Sequence, residues 1–207
     1  MGSGSGVGSE VGAGVDAASG ITAPRRLRTY AARMSGGGST GVRAAPREIG
    51  WSVLGTLLGL TLTAVPTHLT HMPPSAQMFV IGSFGSSAVL LFAAPSAPFS
   101  QPRCLVGGHV LSALTGVTTV LLLPDEAVYT GAVAAAVALA IMQLTRTVHP
   151  PAGATALIAV VEPHVRQLGY GFVLAPVLVG VLILLLVALV VNNLSADPRR
   201  HYPRTWW

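Results

Sequence analysis

Residues 145–161 read TRTVHPPAGATALIAVV. An apolar run arrives at Arg146 and His149, meets Pro150 and Pro151, and turns at once into small and apolar residues again. Proline disfavours helical geometry in the residue before it, so His149 followed by Pro150 predicts the end of one helix. Proline is also tolerated in the first turn of a helix, where its missing N–H has no partner to lose. The stretch therefore reads as a helix stop followed directly by a helix start. It predicts unpaired N–H groups at Ala152, Gly153 and Ala154, at the positive end of a new helix dipole, beside side chains small enough to admit a ligand. Such a terminus suits an anion.

Arg146 and His149 are three positions apart, which puts them on one face of the preceding helix if helical geometry persists that far. Gln143 lies one turn deeper on that face. Together they offer a guanidinium, an imidazole and an amide to a small oxyanion. The plainer reading is that Arg146 anchors the helix at headgroup level and His149 caps a free carbonyl. His109 falls several residues inside an apolar segment, where a polar side chain is expensive and tends to face the bundle interior. A pathway role and a packing hydrogen bond are both open for it. His68, His71 and His164 read as loop or interface residues.

The rest of the chain makes this a membrane environment. Of 207 residues, 51% are hydrophobic and 9% charged, against about a quarter charged in soluble domains. Apolar runs cover residues 50–70, 76–94, 105–123, 127–147, 150–161 and 169–194. Five are long enough to cross a hydrocarbon core of about 30 Å. The run 150–161 is short and reads as a brief crossing or a re-entrant segment. All twelve basic residues are arginine, and they orient the chain. With six crossings and a cytoplasmic N-terminus, only Arg166 falls outside; a re-entrant 150–161 would move the C-terminal arginines outside as well. Six crossings are therefore preferred.

The two halves resemble each other. HMPPSA (71–76) follows the first run and VHPPAG (148–153) the fourth; RCLVGGHVLSAL (103–114) aligns with RQLGYGFVLAPV (166–177). Three crossings per half make the repeat inverted, as in many secondary transporters. Met72, Pro73, Pro74 and Ser75 then form a weaker counterpart of the anion site. The second run is interrupted by GSFGSS (82–87) and its counterpart is short, a pairing that marks substrate sites. The expected fold is all-α: a polytopic transmembrane bundle of about six segments in two three-segment inverted repeats.

Residues 1–48 are rich in Gly, Ser and Arg and predict a disordered cytoplasmic tail, with a transit peptide as the alternative. Residues 49–195 form the transmembrane domain, and 196–207 a basic, aromatic cytoplasmic C-terminus. Small residues recur at four-residue spacing at Gly55 and Gly59, Ser112 and Gly116, and Gly131 and Ala135, which favours close helix packing. A bundle this small leaves open a homodimer as the way to enclose a path. The lone Cys104 fits neither a disulfide nor a metal site. No catalytic motif, metal site, cofactor or nucleic-acid surface is expected.

Four ordered blocks, IGSFGSSAVLLFAAPSAPFSQPR, GGHVLSALTG, MQLTRTVHPPAGATALIAV and NNLSADPRRHYPR, resemble the HPP family of integral membrane proteins, named for the motif that here is His149, Pro150 and Pro151. The resemblance covers roughly residues 50–204. It implies four or more membrane spans, and some plastid and cyanobacterial members are linked to nitrite transport. The HPPAGATAL wording resembles the bacterial and fungal branch, implying a bacterial plasma membrane. The expectation is a permease for a small inorganic anion, nitrite first, embedded in the lipid bilayer. The alternative is a membrane scaffold without a conducting path.

Overall fold

The computed structural model describes residues 25–34, 43–69, 71–123 and 127–207. They belong to two compact units, Met1–Arg43 and Ala44–Trp207. In the first, RRLRTYAARM forms helix α1 (Arg25–Met34); Ala, Leu, Arg and Met favour the helix, and Arg33 in its last turn complements the dipole. Residues 1–24 and 35–42 of the tail expected to be disordered lie outside the described residues.

The second unit holds α2 (Pro46–Leu69), α3 (Pro74–Ala93), α4 (Pro102–Leu122), α5 (Ala127–Leu144), α6 (Ala152–Val161), α7 (Pro163–Leu168) and α8 (Val179–Leu194). Four of these open on proline, at Pro46, Pro74, Pro102 and Pro163, where the fixed φ suits a first turn and no intrahelical donor is lost. A wide π-type turn, Val173–Leu178, leads into α8 and carries a non-helical residue, Ala175, directly before Pro176. Proline pushes its predecessor out of the α region, which explains the break.

Among the described residues, four helices are long and apolar enough to cross a membrane: α2, α3, α4 and Val173–Leu194. Two further apolar helices are α5, with 18 residues, and the shorter α6. At ten residues, α6 reaches only about 15 Å. The run expected to be short, 150–161, is therefore short in the structure as well.

The end of α5 is set locally. Its last turn closes five residues before His149: Arg146 adopts a left-handed φ of 57°, its N–H bonds the Gln143 carbonyl at 3.3 Å, and the Thr147 N–H bonds the Met142 carbonyl at 2.8 Å. These paired bonds define a Schellman cap. The prolines therefore do not end α5, because the chain has already turned. Likewise GSFGSS does not interrupt α3, which runs unbroken through it. Ser86 returns a hydrogen bond to the Gly82 carbonyl and Ser87 Oγ lies 3.2 Å from the Ser83 carbonyl oxygen, and a Cβ at Gly82 or Gly85 would meet nothing within 4 Å.

In the bundle, α2 packs on α3 and α8, α4 packs on α5 and α6, and α5 packs on α6. Contacts of α3 with α6, and of α4 with α8 and the wide turn before it, join the two groups. The core contains Phe84, Phe92, Phe172, Leu105 and Leu184, all fully buried. Helix association in lipid depends on close packing, and the small residues supply it within the chain. Phe92 lies over Gly55, Leu184 over Gly59 and Leu157 over Gly131. A Cβ at Gly116 would stand 2.5 Å from the Ala156 carbonyl oxygen. Outward-facing Leu57, Leu122, Leu144 and Leu186 are more than half exposed, the surface a bilayer covers.

Candidate functional site

Between α5 and α6 the chain lies directly on α4, and glycine makes this contact close. A Cβ at Gly108 would stand 2.7 Å from His149 Cβ and 3.0 Å from the Thr147 carbonyl oxygen; one at Gly107 would stand 2.7 Å from Thr147 Cγ2. His149 is thereby turned into the bundle, where it is fully buried. Its Nδ1 lies 2.7 Å from the Phe99 carbonyl oxygen and its Nε2 3.0 Å from Ser87 Oγ.

From Ser87 the polar chain continues. Ser87 Oγ is 2.8 Å from His109 Nε2, and His109 Nδ1 is 2.8 Å from Thr155 Oγ1. Thr155 Oγ1 is 2.9 Å from Ser83 Oγ, which is also 3.2 Å from the Pro151 carbonyl oxygen. The two imidazole centroids are 5.1 Å apart, and Phe84 meets His109 edge-on at 5.6 Å. Ser83, Ser87, His109, His149 and Thr155 are all buried. Polar groups in such a setting are costly unless each finds a partner, and here each does.

The carbonyl at one end fixes the direction of the chain. Phe99 can only accept, so the hydrogen on neutral His149 sits on Nδ1 and its Nε2 must accept from the Ser87 hydroxyl. Ser87 then accepts from His109 Nε2–H, leaving His109 Nδ1 to accept from Thr155. Thr155 accepts in turn from Ser83. This assignment satisfies every member with both imidazoles neutral; it is inferred from the network, as hydrogen positions must be.

The residues expected to form an anion site are only partly brought together. His149 and His109 meet through Ser87. Arg146 and Gln143 are exposed, because the cap at residues 142–147 takes Arg146 out of helical register with His149. The expected free amides are occupied: Ala152, Gly153 and Ala154 donate to the carbonyls of His149, Pro150 and Pro151 at 2.9, 3.2 and 3.1 Å. The cradle of unpaired donors is therefore closed by the chain's own tight turn, and Pro150 is exposed. On the other side, Met72 is buried in the core and its carbonyl accepts from Gln77 Nε2 at 2.7 Å. Pro73 caps α3 and Pro74 opens it, while Ser75 is exposed. None of these four has a hydrogen bond to the imidazole pair among the described residues. That half contributes through Ser83 and Ser87 instead. Their four-residue spacing, one face of an apolar helix, was the available signal.

A second polar cluster surrounds Arg200, which is buried although it follows the last span. Its Nη2 donates to the Phe92 carbonyl at 3.0 Å and Asn192 Oδ1 at 2.9 Å. Nη1 donates to Ser52 Oγ at 3.1 Å and lies 3.5 Å from Glu48 Oε2. Burial pulls the Arg200 guanidinium below its ordinary pKa, and the Glu48 carboxylate opposes that shift. Tyr202 is buried and donates to the Ser100 carbonyl at 2.9 Å; burial pushes its phenol above the ordinary value. The Arg204 and Thr205 N–H groups both donate to Gln101 Oε1. The basic, aromatic C-terminus is thus a strap across the start of α2 and the α3–α4 connection.

Residues 42–203 match the family described as HPP, transmembrane region. The chain is 42% identical over 181 residues to one transmembrane protein of Dictyostelium discoideum, an alignment covering 86% of this chain and 57% of that protein. It is 44% identical over 163 residues to another from the same organism, covering 77% and 56%. The chain therefore spans little more than half the length of these curated relatives. No solved structure matches it. With its apolar spans and a match covering nearly all of the second unit, this multi-pass membrane protein belongs to the HPP transmembrane family.

Proposed function

We propose that the protein is a permease for a small inorganic anion, with nitrite the leading substrate. The observation that carries this reading is the Ser83–Thr155–His109–Ser87–His149 chain, buried where α3, α4 and α6 meet. Polar side chains held inside a membrane bundle mark solute pathways. The anion contacts in this reading are the hydroxyls and imidazoles of that chain, which replace the amides of Ala152 and Gly153 and the Arg146 side chain as principal partners.

The reading includes two three-segment units of opposite orientation. Packing supports it. Exchange the first, second and third segments for the fourth, fifth and sixth: α2–α3 becomes α5–α6, and α2–α8 becomes α5–α4, and all of these pairs pack. Both leading helices also end on a leucine, Leu69 and Leu144, two residues before a basic residue with left-handed φ, His71 and Arg146. The breaks at Glu162 and Ala175 are of the kind that transporters build beside their sites. A cytoplasmic N-terminus in a bacterial plasma membrane completes the topology.

A scaffold without a conducting path is the second reading, and the mutual satisfaction of the polar chain favours it. Reconstitution into liposomes separates the two. The permease reading expects nitrite or a related anion to enter faster than in protein-free vesicles, and His149→Ala to abolish that entry. Folded protein that moves none of nitrite, nitrate or bicarbonate leaves the scaffold reading.

A further inference from the structure

We propose that the anion crosses together with a proton, and that His109, Ser87 and His149 carry that proton; the inference rests on the permease reading above. A bare anion taken from water into an apolar bundle is strongly disfavoured unless a positive charge accompanies it. Among the described residues no arginine side chain is hydrogen-bonded to a member of the polar chain in the contacts the structure gives. α3 and α6 have no titratable side chain in their sequences, and neither does the Pro98–Ser100 segment. On α4, Arg103 donates to the Thr145 carbonyl at 2.7 Å and Cys104 Sγ lies 3.9 Å from the Arg146 carbonyl, both at the helix start. At the far end of α6, Glu162 is buried as its C-cap and Arg166 donates to the Val160 carbonyl; Arg146 beyond α5 is exposed, and Arg200 is held in the strap. The two imidazoles are the titratable groups in the chain, and imidazole is the side chain that changes charge closest to neutral pH.

The hydrogen-bond order gives the proton a route. A proton bound at His109 Nδ1 displaces the Thr155 hydroxyl hydrogen from that lone pair. The Nε2 proton of His109 passes to Ser87 Oγ over 2.8 Å. Ser87's own proton passes to His149 Nε2 over 3.0 Å. His109 is left neutral with its hydrogen on Nδ1, and His149 becomes an imidazolium with hydrogens on both nitrogens. One proton has entered and one positive charge has moved to His149, beside the start of α6. His149 then gives one proton to the departing anion, which leaves as the neutral acid, and tautomerisation of the two neutral rings restores the starting order.

The test uses full-length protein in liposomes with the membrane potential clamped, and nitrite and nitrate as probes. Protein-free vesicles measure the leak of the protonated acid. An inward proton gradient of about one pH unit drives roughly tenfold accumulation for one-to-one coupling. Ser87→Ala loses this accumulation, while Ser86→Ala, whose exposed hydroxyl bonds the Gly82 carbonyl, retains it. Anion entry that ignores the proton gradient overturns coupling and leaves the permease reading intact. No entry of either anion by folded protein removes both. Nitrogen NMR of the unmodified protein supplies a readout independent of flux and of any variant: at alkaline pH, His149 carries its hydrogen on Nδ1 and His109 on Nε2. The opposite tautomers overturn the relay.

Discussion

Tyr202 donates its buried hydroxyl to the Ser100 carbonyl at 2.9 Å, one residue from the Phe99 carbonyl that accepts from His149 Nδ1 at 2.7 Å. The C-terminal strap therefore holds the same short turn that orients the imidazole. Tyr202→Phe removes one buried hydrogen bond and leaves a buried carbonyl unpaired, which costs about 1–3 kcal/mol. Thermal unfolding in detergent is expected to show that loss. The His149 Nδ1 resonance is expected to shift as well, since its acceptor becomes less fixed; an unchanged resonance would uncouple strap from site.

Arg200 joins groups from three helices: Glu48 and Ser52 of α2, the Phe92 carbonyl of α3 and Asn192 of α8. Arg200→Ala strands their buried polar atoms, and breaking a buried pair in this way costs about 3–5 kcal/mol. Arg200→Lys is expected to recover less than half of the loss. A single ammonium lacks the planar fork that reaches Glu48 and Ser52 on one side and Phe92 and Asn192 on the other. Unfolding midpoints of the two variants in detergent check this.

Asp197 sits on the same strap, and its hydrogen bonds from the Arg199 side chain and N–H hold its carboxyl down to about 2. A carboxylate depressed in the folded state contributes its stabilisation above its ordinary value and loses it as pH falls through the depressed one. The strap's Asp197–Arg199 contact is therefore intact at neutral pH and released only in strong acid. Carbon NMR titration is expected to show a midpoint near 2, moving back toward 3.8 in Arg199→Ala.

The proline-led helix starts were legible in the sequence because a fixed φ and a missing donor are properties of one residue. Pro74 opens α3 and Pro151 caps α6, as the second proline of each pair should. The family blocks were legible too, and His109 and His149 stood out as polar groups in apolar surroundings. The end of α5 was not. Its cap rests on a left-handed Arg146, a position where glycine is the usual marker. Nor did the pattern disclose that Arg200 is buried, because a basic cluster after a span normally reads as a topological anchor. Its partners, Glu48 and Phe92, are more than a hundred residues away. Ser83 and Ser87 were hidden for a related reason: serine beside glycine suggests a break, and only tertiary contacts with Thr155 and the imidazoles give these hydroxyls their place.

The left-handed cap yields a prediction opposite in sign to the usual effect of removing an arginine. Arg146 has a φ of 57°, a conformation costing a residue with a Cβ about 1–2 kcal/mol. Arg146→Gly relieves that cost and is expected to raise the unfolding midpoint, while Arg146→Ala is expected to leave it nearly unchanged. If anion entry depends on the buried chain, both variants retain most of it. If entry depends on the guanidinium, both lose it together, and flux measured alongside stability distinguishes the cases.

Gly108 tests the site from behind. An added Cβ would stand 2.7 Å from His149 Cβ and 3.0 Å from the Thr147 carbonyl oxygen, and neither is the far end of a flexible side chain. Gly108→Ala must therefore push the 147–149 segment away from α4, at a cost of about 1–3 kcal/mol for overpacking. The displacement stretches the bonds from His149 to Phe99 and Ser87 while leaving every polar group of the chain in the sequence. The expected result is folded protein of lower stability, an altered His149 nitrogen spectrum and anion entry reduced at least tenfold. Gly153→Ala is the matched control, since a Cβ there would meet nothing within 4 Å; it should fold and transport as the unmodified protein does. Equal flux through both variants would mean that the position of His149 does not govern entry.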